Sequence, residues 1–240
     1  MSAARAALSG RATGSSKGRD STVEAIRTLT VTRRSARRDR TATINQILVL
    51  TAPDDIRVRF AHHSTVSLIT EAAAMRPRAG ELVDYTTRVA LRELGRRAAY
   101  LAEEIDRLDE LILPLLTQRA PALLAVRGVG PDCAAILLIA AGAHPQRLRS
   151  EAAWAHLCGS APIPASSGKT VRRRLNPAGN RQANHALWRI VLCRMSFDPR
   201  TRLYVERRLA EGKTKPEIIR CLKRYVAREV YPLLRLAVTD

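Results

Sequence analysis

Between Leu94 and Leu115 the residues Leu94, Ala98, Leu101, Ile105, Leu108, Ile112 and Leu115 recur at alternating spacings of four and three. An α-helix gathers residues so spaced into one stripe, and water must be kept from that stripe by another helix. The pattern predicts a long helix over about Leu82–Gln118 with a coiled-coil seam. The seam can pair within the chain or between two chains, and a homo-oligomer formed through it is the expectation favoured here. Glu103, Glu104, Asp106, Asp109 and Glu110 fall at scattered phases around the same helix. That scatter suits a solvated face better than a metal site.

The remainder also reads as helices. Apolar residues make up 46% of the chain and aromatic ones only 4%, so the core must come from Leu, Ile, Val and Ala, with few β-signals. A Gly/Ser-rich, basic lead-in at residues 9–21 precedes a helical region from about Val23 to Leu50. The RPRAG stretch at 76–80 breaks the pattern. Ser150 caps a short helix, Arg181–Met195 forms another, and Asp198-Pro199 opens a third that ends at Gly212. Thr214 and Glu217 make a capping box for the last helix, whose predicted buried stripe is Ile218, Leu222, Tyr225, Val226, Val230 and Leu233. Trp154, Trp188 and Tyr204 are expected in the core as well. The fold class is all-α. The expected division is 1–80, a basic helical segment; 81–119, the coiled-coil connector; and 120–240, a helical C-terminal domain.

Charge narrows the partner. The chain carries a formal +19 with a pI near 11.2, which points to a polyanion, nucleic acid first. Residues 1–60 hold 12 Lys and Arg against 5 Asp and Glu, residues 61–160 hold 11 against 11, and residues 161–240 hold 18 against 6. Two basic ends flank a neutral middle. Arg33, Arg34, Arg37, Arg38 and Arg40 crowd within two turns without compensating acids at i±4, which favours a phosphate-facing role over a plain solvated face. Cys133, Cys158, Cys193 and Cys221 form no CxxC pair and read as buried thiols of a reducing compartment. No run of 18 apolar residues and no signal-peptide core is present. A cytoplasmic, nucleoid-associated protein with no membrane partner is therefore expected.

Two stretches carry candidate chemistry. In PALLAVRGVGPDCAAILLIAAG, residues 121–142, a turn at Gly128-Val129-Gly130 leads into Pro131, a good first helical residue. This resembles a helix-hairpin-helix, whose turn amides can hold a DNA phosphate; a plain helical hairpin in the core is the other reading. In PASSGKTVRRRLNPAGNR, Pro164 and Gly168 bracket Ser166 and Ser167 in an exposed turn. A serine attacking a phosphodiester needs cations on the non-bridging oxygens. Lys169, Arg172, Arg173, Arg174 and Arg181 are of the right type, with Asn180 beside them. By residue type alone, a binding loop without chemistry is the better account.

These segments, with RSEAAWAHLCGSAPIP and RTRLYVERRLAEGKTKPEIIRCLKRYVAREVY, are similar to the C-terminal domain of insertion-sequence transposases of the IS-one-ten class. That class joins a RuvC-like domain bearing four acidic residues to a serine-bearing domain, and its members are bridge-RNA-guided DNA recombinases. The resemblance implies Ser167 as the nucleophile, with Ser166 as its neighbour and alternative, and matches Gly179 and Asn180 to the family's Gly-Asn. It implies DNA as partner, a guide RNA as a possible one, and Mg²⁺ supplied through the acidic domain. The four acids have no counterpart in this chain, and Asp54 and Asp55 lack the right context. An N-terminally truncated transposase, inactive alone, is the expectation. A non-catalytic DNA-binding remnant and an architectural DNA- or RNA-binding dimer are the competing readings.

Overall fold

The structure is a computed structural model and describes residues 21–50, 60, 63–77, 80–142, 148–165 and 173–239. Its helices are α1 (Thr22–Leu50), α2 (Thr65–Ala73), α3 (Leu82–Arg119), α4 (Pro121–Leu124), α5 (Pro131–Gly142), α6 (Glu151–Leu157), α7 (Arg181–Phe197), α8 (Pro199–Ala210) and α9 (Lys215–Thr239). The chain is all-α. Among the described residues the strand pairing is one short antiparallel ladder, β1 (Ile163–Pro164) with β2 (Arg173–Arg174), in register Ile163 to Arg174 and Pro164 to Arg173. Most of the lead-in, Asp54, Asp55, Ser166, Ser167, Gly168, Lys169 and Arg172 lie outside the described residues.

The chain divides into two compact units, residues 27–115 and residues 1–26 with 116–240. In the first, the predicted stripe on α3 is present: Ala98, Leu101, Ile105 and Ile112 are buried, and Leu94, Leu108 and Leu115 half-buried. Its cover comes from α1 of the same chain. Ile47 shares a cluster with Leu91 and Ala98, Ala36 shares one with Leu101 and Ile105, and Arg33 pairs with Asp109. Rising numbers on α1 meet falling numbers on α3, so the two helices run antiparallel. Leu68, Ile69 and Ala72 of α2 close the Ile47 end, together with Phe60 and Met75.

Gly95 sets how closely α2 and α3 approach. A Cβ there would lie 2.3 Å from the Ala73 amide nitrogen and 2.7 Å from the Ala72 carbonyl carbon. Backbone atoms cannot step aside as a flexible side chain can. Leu91, one turn earlier on α3, is fully buried where the helices meet at this distance.

The second unit is organised by α9, which touches each of α4, α5, α6, α7 and α8. α5 is its most apolar element, with Cys133, Ala134, Ala135, Leu137, Leu138, Ala140 and Ala141 buried. Caps fix the other helices where the sequence predicts them. The Ser150 hydroxyl accepts from the Ala153 N–H at 3.1 Å. The Asp198 carboxylate accepts from the Thr201 N–H at 3.0 Å and from its hydroxyl at 2.6 Å. The Glu217 carboxylate accepts from the Thr214 N–H at 2.9 Å, completing the capping box.

Gly95→Ala is expected to destabilise the unit by about 2 kcal/mol despite the helix propensity gained, because the clash is with backbone. Urea denaturation checks this; an unchanged or raised midpoint contradicts the close packing of α2 on α3.

Candidate functional site

α9 carries two rows of side chains at the same spacing. Ile218, Leu222, Val226, Val230 and Leu234 are buried. Arg220, Arg224 and Arg228 repeat every four residues but two positions out of step, which turns them about 200° around the helix axis. Burying the first row therefore presents the second outward. It opens onto a cleft of about 960 Å³ lined by Arg174, Arg208, Lys213, Arg220, Lys223, Arg224 and Arg228, with Glu217 as the carboxylate among the lining residues. Two further acids reach the cationic side chains: Glu151 pairs with Arg224 and Arg228, and Glu211 with Arg208. Seven cations thus face three carboxylates.

The crowding shows in the titration of the cations. Burial holds the Lys223 ammonium below its ordinary range, and Arg220 adds to the effect. Burial also lowers Arg224, with Arg228 contributing. A base whose folded pKa is lowered costs stability while it is charged, and the cost disappears as pH rises through the folded value. Glu217 goes the other way. Hydrogen bonds from the Thr214 N–H and hydroxyl hold its carboxyl below the usual range.

The floor of the cleft is built by close backbone contact. Gly159, with φ +64°, and Gly179 lie back to back: a Cβ on Gly179 would be 2.4 Å from both the Cα and the N of Gly159. This approach lets the Asn180 N–H donate to the Leu157 carbonyl at 2.6 Å. The Asn180 side chain caps α7, accepting from the N–H groups of Gln182 and Ala183 at 3.0 Å each. Asn176 Nδ2 donates to the His156 carbonyl at 3.0 Å. Asn184 bridges outward, donating to the Cys158 carbonyl at 2.7 Å and accepting from Lys223 Nζ at 2.9 Å. The Gly-Asn pair flagged in the sequence thus holds the end of α6 against the start of α7.

The hairpin turn between α4 and α5 has one closed side and one open side. Gly128 adopts φ +80°, and a Cβ there would meet Arg194 Cγ at 3.3 Å and the Ile190 carbonyl oxygen at 3.4 Å. Arg194 Nε donates to the Arg127 carbonyl at 2.8 Å, so α7 covers this side of the turn. Val129 is buried, whereas Gly130 has nothing within 4 Å of its would-be Cβ. Asp132 in the first turn of α5 lies 3.4 Å from an Arg189 nitrogen.

The predicted arginines separate. Arg33 is buried and paired with Asp109, which also takes Arg37 at 3.2 Å. Arg33 therefore joins α1 to α3. Arg34 and Arg38 are exposed, the latter with Asp39 at 3.9 Å. Arg174 and Arg181 are exposed, and Arg173 lies in β2. Several core expectations need correcting. Trp154 is fully buried, but Trp188 is 38% exposed and stacks on His185 at 5.4 Å. Tyr225, counted in the buried stripe of α9, is 50% exposed. Tyr204 and Leu233 are half-buried, and Leu234 completes the buried row in place of Leu233. Cys133 and Cys158 are buried, Cys221 is half-buried and Cys193 exposed. Sequence reasoning passed over the α9 cations, although the Arg row out of step with the apolar row is legible there.

Among the described residues no group of three or more His, Cys, Asp or Glu side chains comes together to hold a metal ion. No helix among them is long and apolar enough to cross a membrane.

Residues 120–206, spanning the hairpin, the glycine contact and the start of the basic helices, match the family described as Transposase IS116/IS110/IS902. The chain is also 32% identical over 117 residues to the insertion element IS110 uncharacterized 43.6 kDa protein of Streptomyces coelicolor. That similarity takes in 48% of this chain and 29% of the relative, so the chain spans less than a third of the relative's length. The matched stretch contains the floor of the cleft and the β1–β2 ladder, whereas α9 lies beyond its end.

Gly179→Ala is expected to cost about 2 kcal/mol or more, since its Cβ would meet backbone. Gly130→Ala, in open space, is expected to change stability by less than about 1 kcal/mol. Chemical denaturation of the two variants side by side checks the contrast.

Proposed function

We propose that the chain acts in DNA transposition as the DNA-gripping, serine-bearing part of an IS110-class transposase. The observation that carries this reading is the cleft, where Arg174, Arg208, Lys213, Arg220, Lys223, Arg224 and Arg228 converge against few carboxylates. A phosphodiester backbone supplies the missing anions, and binding releases its condensed counterions. Neutral ligands have no use for such a lining. The family match over residues 120–206 supports the same reading.

On this reading the serine segment acts at this cleft. Pro164 and Arg173 are paired across β1–β2, and Arg174 lines the cleft. These flanking residues, on either side of the segment bearing Ser166 and Ser167, support that reading. In this reading the Ser167 hydroxyl attacks phosphorus and forms a serine–phosphate ester. The strand's leaving oxygen takes up a proton, and the serine proton goes to solvent or a base. The rim arginines neutralise the non-bridging oxygens. The amides on the open side of the Gly128–Gly130 turn, together with Arg34, Arg37 and Arg38, serve as further backbone contacts. Mg²⁺ would enter only with acidic residues of another domain, and no step here passes through it. A guide RNA is the additional partner that the resemblance implies, and a second copy of the chain is the one expected from the four-three spacing of α3.

Arg220→Gln with Arg228→Gln is expected to weaken duplex binding by about tenfold at moderate salt. The slope of log affinity against log salt should fall by about 2, one for each phosphate no longer neutralised. Fluorescence anisotropy across a salt series measures both, and an unchanged slope removes the cleft from the binding site.

Ser167→Ala is expected to keep that affinity. It should lose any DNA-linked chain trapped on a nicked duplex in the presence of an intact IS110-class transposase, the 26.5 kDa chain being told apart by its mass. A link that survives in Ser167→Ala and is lost in Ser166→Ala moves the nucleophile by one residue. Survival in both overturns the serine assignment.

A further inference from the structure

Aromatic residues are scarce in this chain, with two Phe, two Trp and five Tyr, yet two of the tyrosines meet at the edge of the basic cleft. Tyr225 of α9 and Tyr204 of α8 pack edge to face, with ring centroids 5.7 Å apart and planes at 90°. Tyr225 is half exposed although its neighbours Val226 and Leu222 are buried. It lines the basic cleft and also a second cleft of about 580 Å³, bounded by Arg127, Arg194, Arg200 and Tyr204. It is the residue common to both linings, so its ring forms the partition between them. Arg207 and Arg208 lie over the Tyr204 ring at 5.4 and 5.9 Å.

A tyrosine needed only for packing would be covered by its own helix neighbours. This one is held in place by Tyr204, which fixes the ring without hiding it. Cations lie on both sides of the partition: Arg220, Lys223 and Arg224 in one cleft, and in the other Arg200 beside Arg127 and Arg194, which pair with Asp198 and Glu229. The ligand such a partition fits has a flat, polarisable ring flanked by phosphates. A nucleobase offers that only when it is unpaired, since in a duplex its faces are taken by the stack.

We propose that Tyr225 stacks on an unpaired nucleobase whose flanking phosphates lie in the two clefts, making this edge a site for single-stranded rather than duplex nucleic acid. The proposal rests on the cleft reading above and adds a strand-state preference to it. DNA and RNA share this chemistry, because the ring meets the base and not the sugar.

Tyr225→Ala, Tyr225→Trp and the parent chain are compared by anisotropy on four probes: a thymidine strand, its duplex with adenosine, a uridine strand and an abasic strand. Tyr225→Ala is expected to bind the thymidine strand about tenfold more weakly and the duplex within about twofold of the parent. Tyr225→Trp should restore binding to the thymidine strand, and the abasic strand should respond to neither change. A matching loss on the uridine strand assigns the site to either nucleic acid, and a loss on one strand alone assigns it to that one. Equal losses on strand and duplex, or none, overturn the stacking role. The charge variant Arg220→Gln with Arg228→Gln separates the two failures. If it weakens all probes while Tyr225→Ala weakens none, the cleft stands and the stacking proposal falls. If it weakens none, the cleft reading itself falls.

Discussion

The second unit depends on the burial of one face of α9. Ile218, Leu222, Val226, Val230 and Leu234 give the helices around α9 a common surface to pack on. Full burial of each such side chain contributes about 2 kcal/mol. That same burial leaves Arg220, Arg224 and Arg228 no choice of direction. Like charges one helical turn apart repel by a few tenths of a kcal/mol per pair, and Glu151 relieves only two of the three. The core thus holds an unfavourable charge arrangement in place. A ligand that supplies anions recovers part of that energy on binding, which is how a fold stores affinity for a polyanion.

Two close glycine contacts do comparable work at shorter range. Gly95 brings α2 against α3, and Gly179 lies against Gly159 where α6 meets α7. In the second case the contact sets the geometry of the cleft floor, because Asn180 both bonds back to Leu157 and caps α7. The Gly-Asn pair is therefore a structural hinge pin as well as a neighbour of the serine segment. Its value to any DNA-binding role comes through the backbone it positions, since its side chain is already engaged with α7.

Helix existence and ends were legible because each rests on local chemistry. The four-three stripe of α3, the Asp198-Pro199 start of α8 and the Thr214–Glu217 capping box of α9 all appear where spacing and cap residues put them. What stayed hidden depends on neighbours distant in sequence. That α1 covers the α3 stripe, and that Arg33 turns inward to Asp109, follows from an antiparallel pairing 76 residues apart. Tyr225 fits the apolar spacing of α9 but is half exposed, with Tyr204 packed edge to face against it. Trp188 likewise lies on the outer side of α7 beside His185. For the site, the serine loop and Gly-Asn were visible as motifs, whereas the basic cleft needed α9 folded back alongside.

Arginine footprinting tests the central claim most directly. Phenylglyoxal modification of the chain, read by peptide mass spectrometry with and without bound duplex DNA, reports which guanidinium groups the ligand covers. The account predicts protection of Arg174, Arg220 and Arg228 together, with Arg235 at the far end of α9 unprotected. Full reactivity of Arg220 and Arg228 in the presence of saturating DNA would contradict it.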